Sequence, residues 1–267
     1  MEVRSIGVFA RAPEAALVRR PLVAVTCRLL QHVRAGAVWV NMQRKRHGLV
    51  SSVSMTAWHP VARSNELRAG ENIVTARVQG QDLALWRARS GAAQAWEDRC
   101  PHRSVRLSLG QVVGDSVSCA YHGWQYAAGS GRCAAVPANP AMPPPASVCV
   151  RAFALAEAAG MVWVSLHGLD RQPETSLSGG WNWCRTLSLR AGAERVRESL
   201  AGTGWREAGC AWQGLLGGER AAAFLLDASE ALSVLHVWTG ADSGSSGMKA
   251  AHAAARRLRT QLESMRG

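Results

Sequence analysis

Lysine is almost missing from this chain. Of 31 basic residues only Lys45 and Lys249 are lysines, and the other 29 are arginines. Both side chains contact phosphate, so a surface shaped for nucleic acid would have no reason to avoid one of them. Beside so much Ala and Gly, the bias reads as that of a GC-rich coding sequence. Acidic residues are scarce at the start only: residues 1–54 hold nine basic residues against Glu2 and Glu14, a net of +7 out of the chain's +12. The excess charge therefore belongs to the first fifth, and no nucleic-acid partner is expected. No uninterrupted apolar run reaches the roughly 18 residues of a membrane span, so no membrane partner is expected either. Cysteine is too sparse for a disulfide scaffold, at seven in 267 residues, and the number is odd. An internal repeat is also absent. An apolar fraction of 48% still allows a real core.

Three stretches follow one another. Residues 1–54 have no sustained period and are expected to be a disordered or upstream extension, with Met55 as the true start. N-terminal sequencing of the native protein would then begin near Met55. An Arg-rich targeting segment is the alternative, since Arg19-Arg20 precedes PLVAV as in a twin-arginine export signal, but Arg28, His32 and Arg34 interrupt the apolar part. The expected location is the cytoplasm.

From residue 55 to 168 the pattern is of short strands and turns. NIVTARV (72–78) and LALWRA (83–88) make a hairpin about Gly80-Gln81-Asp82. AAQAWED (92–98), VSCAY (117–121), RAFALAE (151–157) and GMVWVSL (160–166) supply further strands, and the prolines between Pro137 and Pro145 impose a fixed loop. After a linker-like DRQPETSLSGG, residues 169–267 read as a small α+β unit. WREAGCAWQGLL, AAAFLLD and LSVLHVW are three strands of a meander. A helix then runs from about Met248 to Met265, with Met248, Ala251, Ala255, Leu258, Leu262 and Met265 on one face. Its arginines are read as a solvated face. Trp181, Trp183 and Trp205 are read as core rather than pocket, and Cys184 and Cys210 as buried small apolar residues.

The chemistry lies in Cys100-Pro-His102 and, sixteen residues later, Cys119-Ala-Tyr-His122. Two chemistries take two Cys and two His: tetrahedral zinc, and a [2Fe–2S] cluster with thiolates on one iron and imidazoles on the other. Zinc fingers usually pair Cys with Cys and His with His. Here each loop contributes one of each, which suits two loops gripping a two-iron group.

DRCPHRS (98–104) and CAYHGWQY (119–126) resemble the cluster loops of Rieske-type non-haem iron oxygenases, of the vanillate demethylase and phthalate dioxygenase branch. The likeness runs from Trp58-His-Pro-Val-Ala through GRCAAVP (131–137) to GMVWVSL, about 110 residues. It implies a mainly β Rieske domain, a β-sandwich with two cluster-binding loops. Cys100 and Cys119 would hold the inner iron of a [2Fe–2S] cluster, and His102 and His122 the outer iron. Trp124 and Tyr126 would pack round the second loop, with Cys133 a bystander. Ser104 and Ala120 depart from the family's usual Gly and Pro. Cytochrome-complex Rieske proteins clamp the loops with one extra Cys each; Cys100–Arg106 and Cys119–Tyr126 lack it, which places the potential low in the roughly −150 to +300 mV Rieske range.

Family oxygenases also carry a mononuclear iron held by two His and a carboxylate. After His122 only His167, His236 and His252 remain, none close in sequence to another, so no mononuclear Fe(II) is expected. The α+β unit resembles the end of the family's helix-grip domain, truncated to about half. The expected role is an electron-transfer Rieske protein. It would accept single electrons from a ferredoxin or flavin (flavoprotein) reductase and pass them to an oxygenase-type partner. Two alternatives stay open. One is a terminal oxygenase, a hydroxylase or demethylase of a small aromatic-type substrate with non-standard iron ligands. The other is a redox-sensing or structural module. A homotrimer is implied by the resemblance alone.

Overall fold

A computed structural model of the chain describes residues 58–168, 172, 173, 175, 177 and 180–264. The basic extension over 1–54 lies outside the described residues, as does Met265.

The first half is built of short antiparallel strands. They are β1 (His59–Arg63), β2 (Ile73–Val78), β3 (Gln81–Arg87), β4 (Ala93–Glu97), β5 (Gln111–Val113), β6 (Ser116–Ser118), β7 (Gln125–Ala127), β8 (Cys133–Ala135), β9 (Ala154–Ala158) and β10 (Met161–Ser165). Three sheets result, ordered β1-β10-β9, β2-β3-β4 and β5-β6-β7-β8. The β2–β3 hairpin turns on Gln79 and Gly80, at φ 48° and 85°. Two successive left-handed residues are what a two-residue turn matched to strand twist demands. The turn thus falls earlier than the glycine alone suggested, and Gln81-Asp82 open β3. VSCAY is strand only as far as Ser118, because Cys119 begins a loop.

In the second half come β11 (Trp181–Leu189), α1 (Ala193–Gly202), β12 (Arg206–Ala208), β13 (Ala211–Leu216), β14 (Glu219–Ser229), β15 (Leu232–Gly240) and α2 (Ser245–Ser264). The five strands form one antiparallel sheet, β11-β15-β14-β13-β12. The meander has four strands rather than three, since Gly209, at φ 61°, turns WREAGCAWQGLL back on itself. That turn also leaves Cys210 exposed, correcting the expectation of a buried thiol, whereas Cys184 is buried. Trp205 is core, but Trp183 is 40% exposed.

The helices cover one face of this sheet, where Val196, Leu200, Ala255 and Leu258 pack on Leu187, Leu189, Leu235 and Val237. Its other face meets the first half. β10 is buried along its whole length because both its faces are covered. Val162 and Val164 join Leu83, Leu85 and Leu226, while Met161 and Trp163 join Phe224 and Ala211. Trp163 and Phe224 meet edge to face at 5.2 Å, and each such side chain removed from water contributes roughly 1.5–3 kcal/mol. The Gln79 and Gly80 amides donate to the Asp227 and Ala228 carbonyls at 2.9 and 2.8 Å. Arg63 lies 4.0 Å over the Trp183 ring. The two halves therefore share a packed, hydrogen-bonded junction.

Candidate metal centre

Two loops carry the four candidate side chains, and their backbones close in the same way. In the first, the Ser104 amide donates to the Cys100 carbonyl at 2.8 Å and the Cys100 amide to the Val105 carbonyl at 2.8 Å. In the second, the Gly123 amide donates to the Cys119 carbonyl at 3.0 Å and the Cys119 amide to the Trp124 carbonyl at 2.9 Å. Each loop turns on one left-handed residue four places after its cysteine: Ser104 at φ 57° and Gly123 at φ 69°. Glycine holds that conformation without steric cost; serine does not. Ser104→Gly is therefore expected to raise stability by up to about 1 kcal/mol, the relieved strain being partly offset by the entropy of an added glycine. Urea unfolding would show it as a higher midpoint with the visible spectrum unchanged.

The start of the first loop is tied to its return by a contact that the motif did not reveal. Asp98, buried, accepts the Ser108 amide and hydroxyl, both at 2.7 Å. Pro137, from the proline-rich segment, lies against Gly123 and backs the second loop.

Within this frame the four side chains divide into pairs. Cys100 and Cys119 are 2% and 4% exposed as residues and belong to the core of Trp86, Trp96, Leu107, Val117 and Tyr126. They neighbour one another, and burial, more than that contact, pushes the Cys119 thiol up from its ordinary pKa. The Tyr126 hydroxyl lies 3.1 Å from the Cys100 sulfur. Burial also raises the Tyr126 pKa, so it remains a hydroxyl able to donate to a thiolate. Outside sit the imidazoles, with ring centroids 4.9 Å apart. His122 is exposed, and Tyr121, itself 61% exposed, lies 3.8 Å from it. His102 stacks on Trp124 at 4.2 Å with the planes 7° apart, so a ring from the second loop fixes the imidazole of the first. This stack and the Tyr126–Cys100 contact both join loop to loop where a disulfide clamp is lacking.

Thiols inside and imidazoles outside make a two-centre arrangement. Among the described residues, no three His, Cys, Asp or Glu side chains gather round one point as a single-ion site would need. With its thiols inside and its imidazoles outside, the donor set fits a group with two metal atoms, thiolates on one and imidazoles on the other. Cys133 lies in the same core with its thiol directed to the Ala135 carbonyl at 3.7 Å.

The remaining histidines are dispersed. His236, on β15, is 3% exposed and bonded to Thr186 through Nδ1 at 3.1 Å, and its Nε2 is buried without a partner. His252 lies on α2, and His167 is near enough to His59 to influence its titration.

Residues 57–153 match the model of the Rieske [2Fe–2S] domain. The chain is 39% identical over 124 residues to "Oxidoreductase NdmD" of Pseudomonas putida, covering 46% of this chain and 21% of that protein. It is 39% identical over 118 residues to the "3-chlorobenzoate-3,4-dioxygenase oxygenase subunit" of Comamonas testosteroni, covering 44% and 27%. It thus spans about a fifth to a quarter of the length of these relatives. In fold it is similar to a NdmA variant of Pseudomonas putida CBB5 solved with theobromine, with a TM-score of 0.59 at 20% identity, over 78% of this chain and 81% of that one.

Proposed function

Since residues 57–153 are a Rieske [2Fe–2S] domain, we propose that the chain serves an oxygenase system as a one-electron carrier. It would receive from a ferredoxin or flavoprotein reductase and deliver to an oxygenase-type partner. The observation that carries this reading is the pair of buried thiols backed by a pair of rim imidazoles. Cys100, Cys119, His102 and His122 would hold the cluster. When bound, that group supplies reversible one-electron chemistry. The chain's own residues do the rest. The core round the thiols keeps water from the sulfurs, and the Tyr126 hydroxyl, 3.1 Å away, would donate to the Cys100 sulfur once that is a thiolate. Trp124 holds the plane of His102, and His122 with Tyr121 presents an exposed edge to a partner.

The second half supports a carrier more than a terminal oxygenase. We read residues 55–168 as the Rieske domain and 169–267 as a shortened helix-grip. In the latter, the space between sheet and helices is filled by side chains such as Leu200, Trp205, Val237 and Leu258. Its histidines, His236 on β15 and His252 on α2, stand on separate elements, and among the described residues no helical pair of histidines is placed to hold a mononuclear iron. No helix among the described residues is long and apolar enough to cross a membrane.

The deciding measurement is iron and acid-labile sulfide per chain after anaerobic purification, joined to a redox titration. Two irons, two sulfides and a reversible one-electron wave are expected. A third iron would transfer the reading to a terminal oxygenase, and the lack of a reversible wave would favour a structural module. The ligand assignment has its own test in His102→Cys. Thiolate is the stronger, anionic donor, so the potential should fall toward the roughly −400 mV of all-cysteine plant-type centres. An unchanged potential would remove His102 from the ligand set.

A further inference from the structure

β11 is an edge strand: among the described residues it pairs only with β15. Along its free side a groove of about 470 Å³ runs between it and α2, lined by Arg185, Leu187, Arg256, Arg259, Thr260 and Glu263. Three guanidinium groups thus face one carboxylate. Arg259 reaches Glu263 at 3.4 Å, and neither Arg185 nor Arg256 has an ion-pair partner among the described residues. The groove also shows what it accepts. Glu263 takes the backbone amide of Arg190, the residue that follows β11, at 3.0 Å. A carboxylate therefore already occupies one end of this edge, held by a main-chain N–H and an arginine together.

We infer that this groove is a docking site for an extended acidic segment of a partner protein, which adds a strand to β11. Main-chain hydrogen bonds to a free edge supply affinity, and alternate side chains supply specificity. At nine residues β11 offers an edge on the order of 30 Å. Acidic side chains on one face of the segment would meet Arg185, Arg256 and Arg259. A second copy of this chain is the wrong occupant, because an antiparallel β11–β11 pair would oppose arginine to arginine, and like charges across strands are destabilising. Unpaired edges are commonly guarded by such charges, and an acidic strand is the complement that turns the guard into a recognition element. The inference does not rest on the cluster or on the electron-carrier reading.

The test uses the full chain, with iron content measured alongside. The probe is a nine-residue fluorescein-labelled peptide alternating glutamate and valine. Saturable binding is expected, weakened steeply by salt. The Arg256→Glu/Arg259→Glu pair, both exposed positions, should weaken it by about tenfold or more while leaving the circular dichroism and iron content unchanged. Should that pair misfold, Arg256→Gln gives the same direction with a smaller effect. Equal binding of a lysine-for-glutamate peptide, or binding unaffected by these substitutions, would overturn the proposal. Undiminished binding of a peptide N-methylated at alternate amides would overturn strand addition. Displacement by millimolar inorganic phosphate would reduce the groove to a small-anion site and overturn it equally.

Discussion

Cys119→Ala is expected to abolish the [2Fe–2S] centre: the purified chain should show no visible charge-transfer bands and no acid-labile sulfide. The effect is large because nothing nearby can replace this sulfur. Its backbone is held at both ends by the loop bonds to Trp124 and Gly123, and its side chain is enclosed by a packed core. Cys133 shares that core but faces the Ala135 carbonyl. Cys133→Ala should therefore keep full iron content and serves as the matched control. Burial raises the Cys119 thiol, so loading the site must displace a proton that the apo chain holds firmly, and loading should weaken as pH falls. Metal binding to such loops is also folding free energy. Limited proteolysis of the Cys119→Ala chain should cut first within residues 98–126, where the unmodified chain resists. Iron and sulfide retained at wild-type level would remove Cys119 from the ligand set and with it the pairing of thiols inside and imidazoles outside.

The four candidate ligands can be picked out because their spacing is local: C-x-H and C-x-x-H each lie within one turn of chain, where sequence proximity guarantees proximity in space. The hairpin and β10 were legible for the same reason, the alternation or the unbroken apolar run being a property of consecutive residues. What escaped are features that join distant residues. Tyr126 reaches Cys100 across 26 positions, and Asp98 reaches Ser108 across ten. Nothing in either motif distinguishes a hydroxyl aimed at a sulfur from one aimed at water. β11 and α1 were missed for a different reason. In WNWCRTLSL the alternation is broken by a register shift between Trp183 and Arg185, so the tryptophans do not fall in phase with Leu187 and Leu189. The short α1 opens on Gly192 with no side-chain cap, which removes the usual start signal. Cys210 was misplaced because hydropathy speaks for burial only when the backbone cooperates, and the left-handed Gly209 turns this residue outward.

Acid is expected to destabilise the chain well above the carboxylate range. His59 and His236 both lie at the junction of the two halves, and both are held near pKa 4. For His59 burial is the main cause, followed by the neighbouring charges of His167 and Arg197. For His236 burial outweighs the opposing pull of Glu66 and the Pro60 carbonyl, with Arg63 adding to the lowering. A base whose pKa is lower folded than unfolded binds fewer protons in the native state. Stability is then complete above the unfolded value near 6.5 and is lost as pH falls toward 4. At about 1.4 kcal/mol per unit, each imidazole costs roughly 3 kcal/mol once protonated in place, against a total stability of about 5–15 kcal/mol for a typical domain. Between pH 6.5 and 5, Asp82 and Glu157, held below their ordinary range by Arg77 and Arg87, stay ionised, while Asp227, raised by its burial, works against the trend rather than adding to it. Urea unfolding followed by tryptophan fluorescence should show a midpoint that falls across this window. His236→Gln, which can still meet Thr186, should remove about half of the slope, since two similar groups share it. An unchanged slope in that variant would mean that His236 is not held neutral at the junction. A flat profile in the unmodified chain would mean that neither imidazole is.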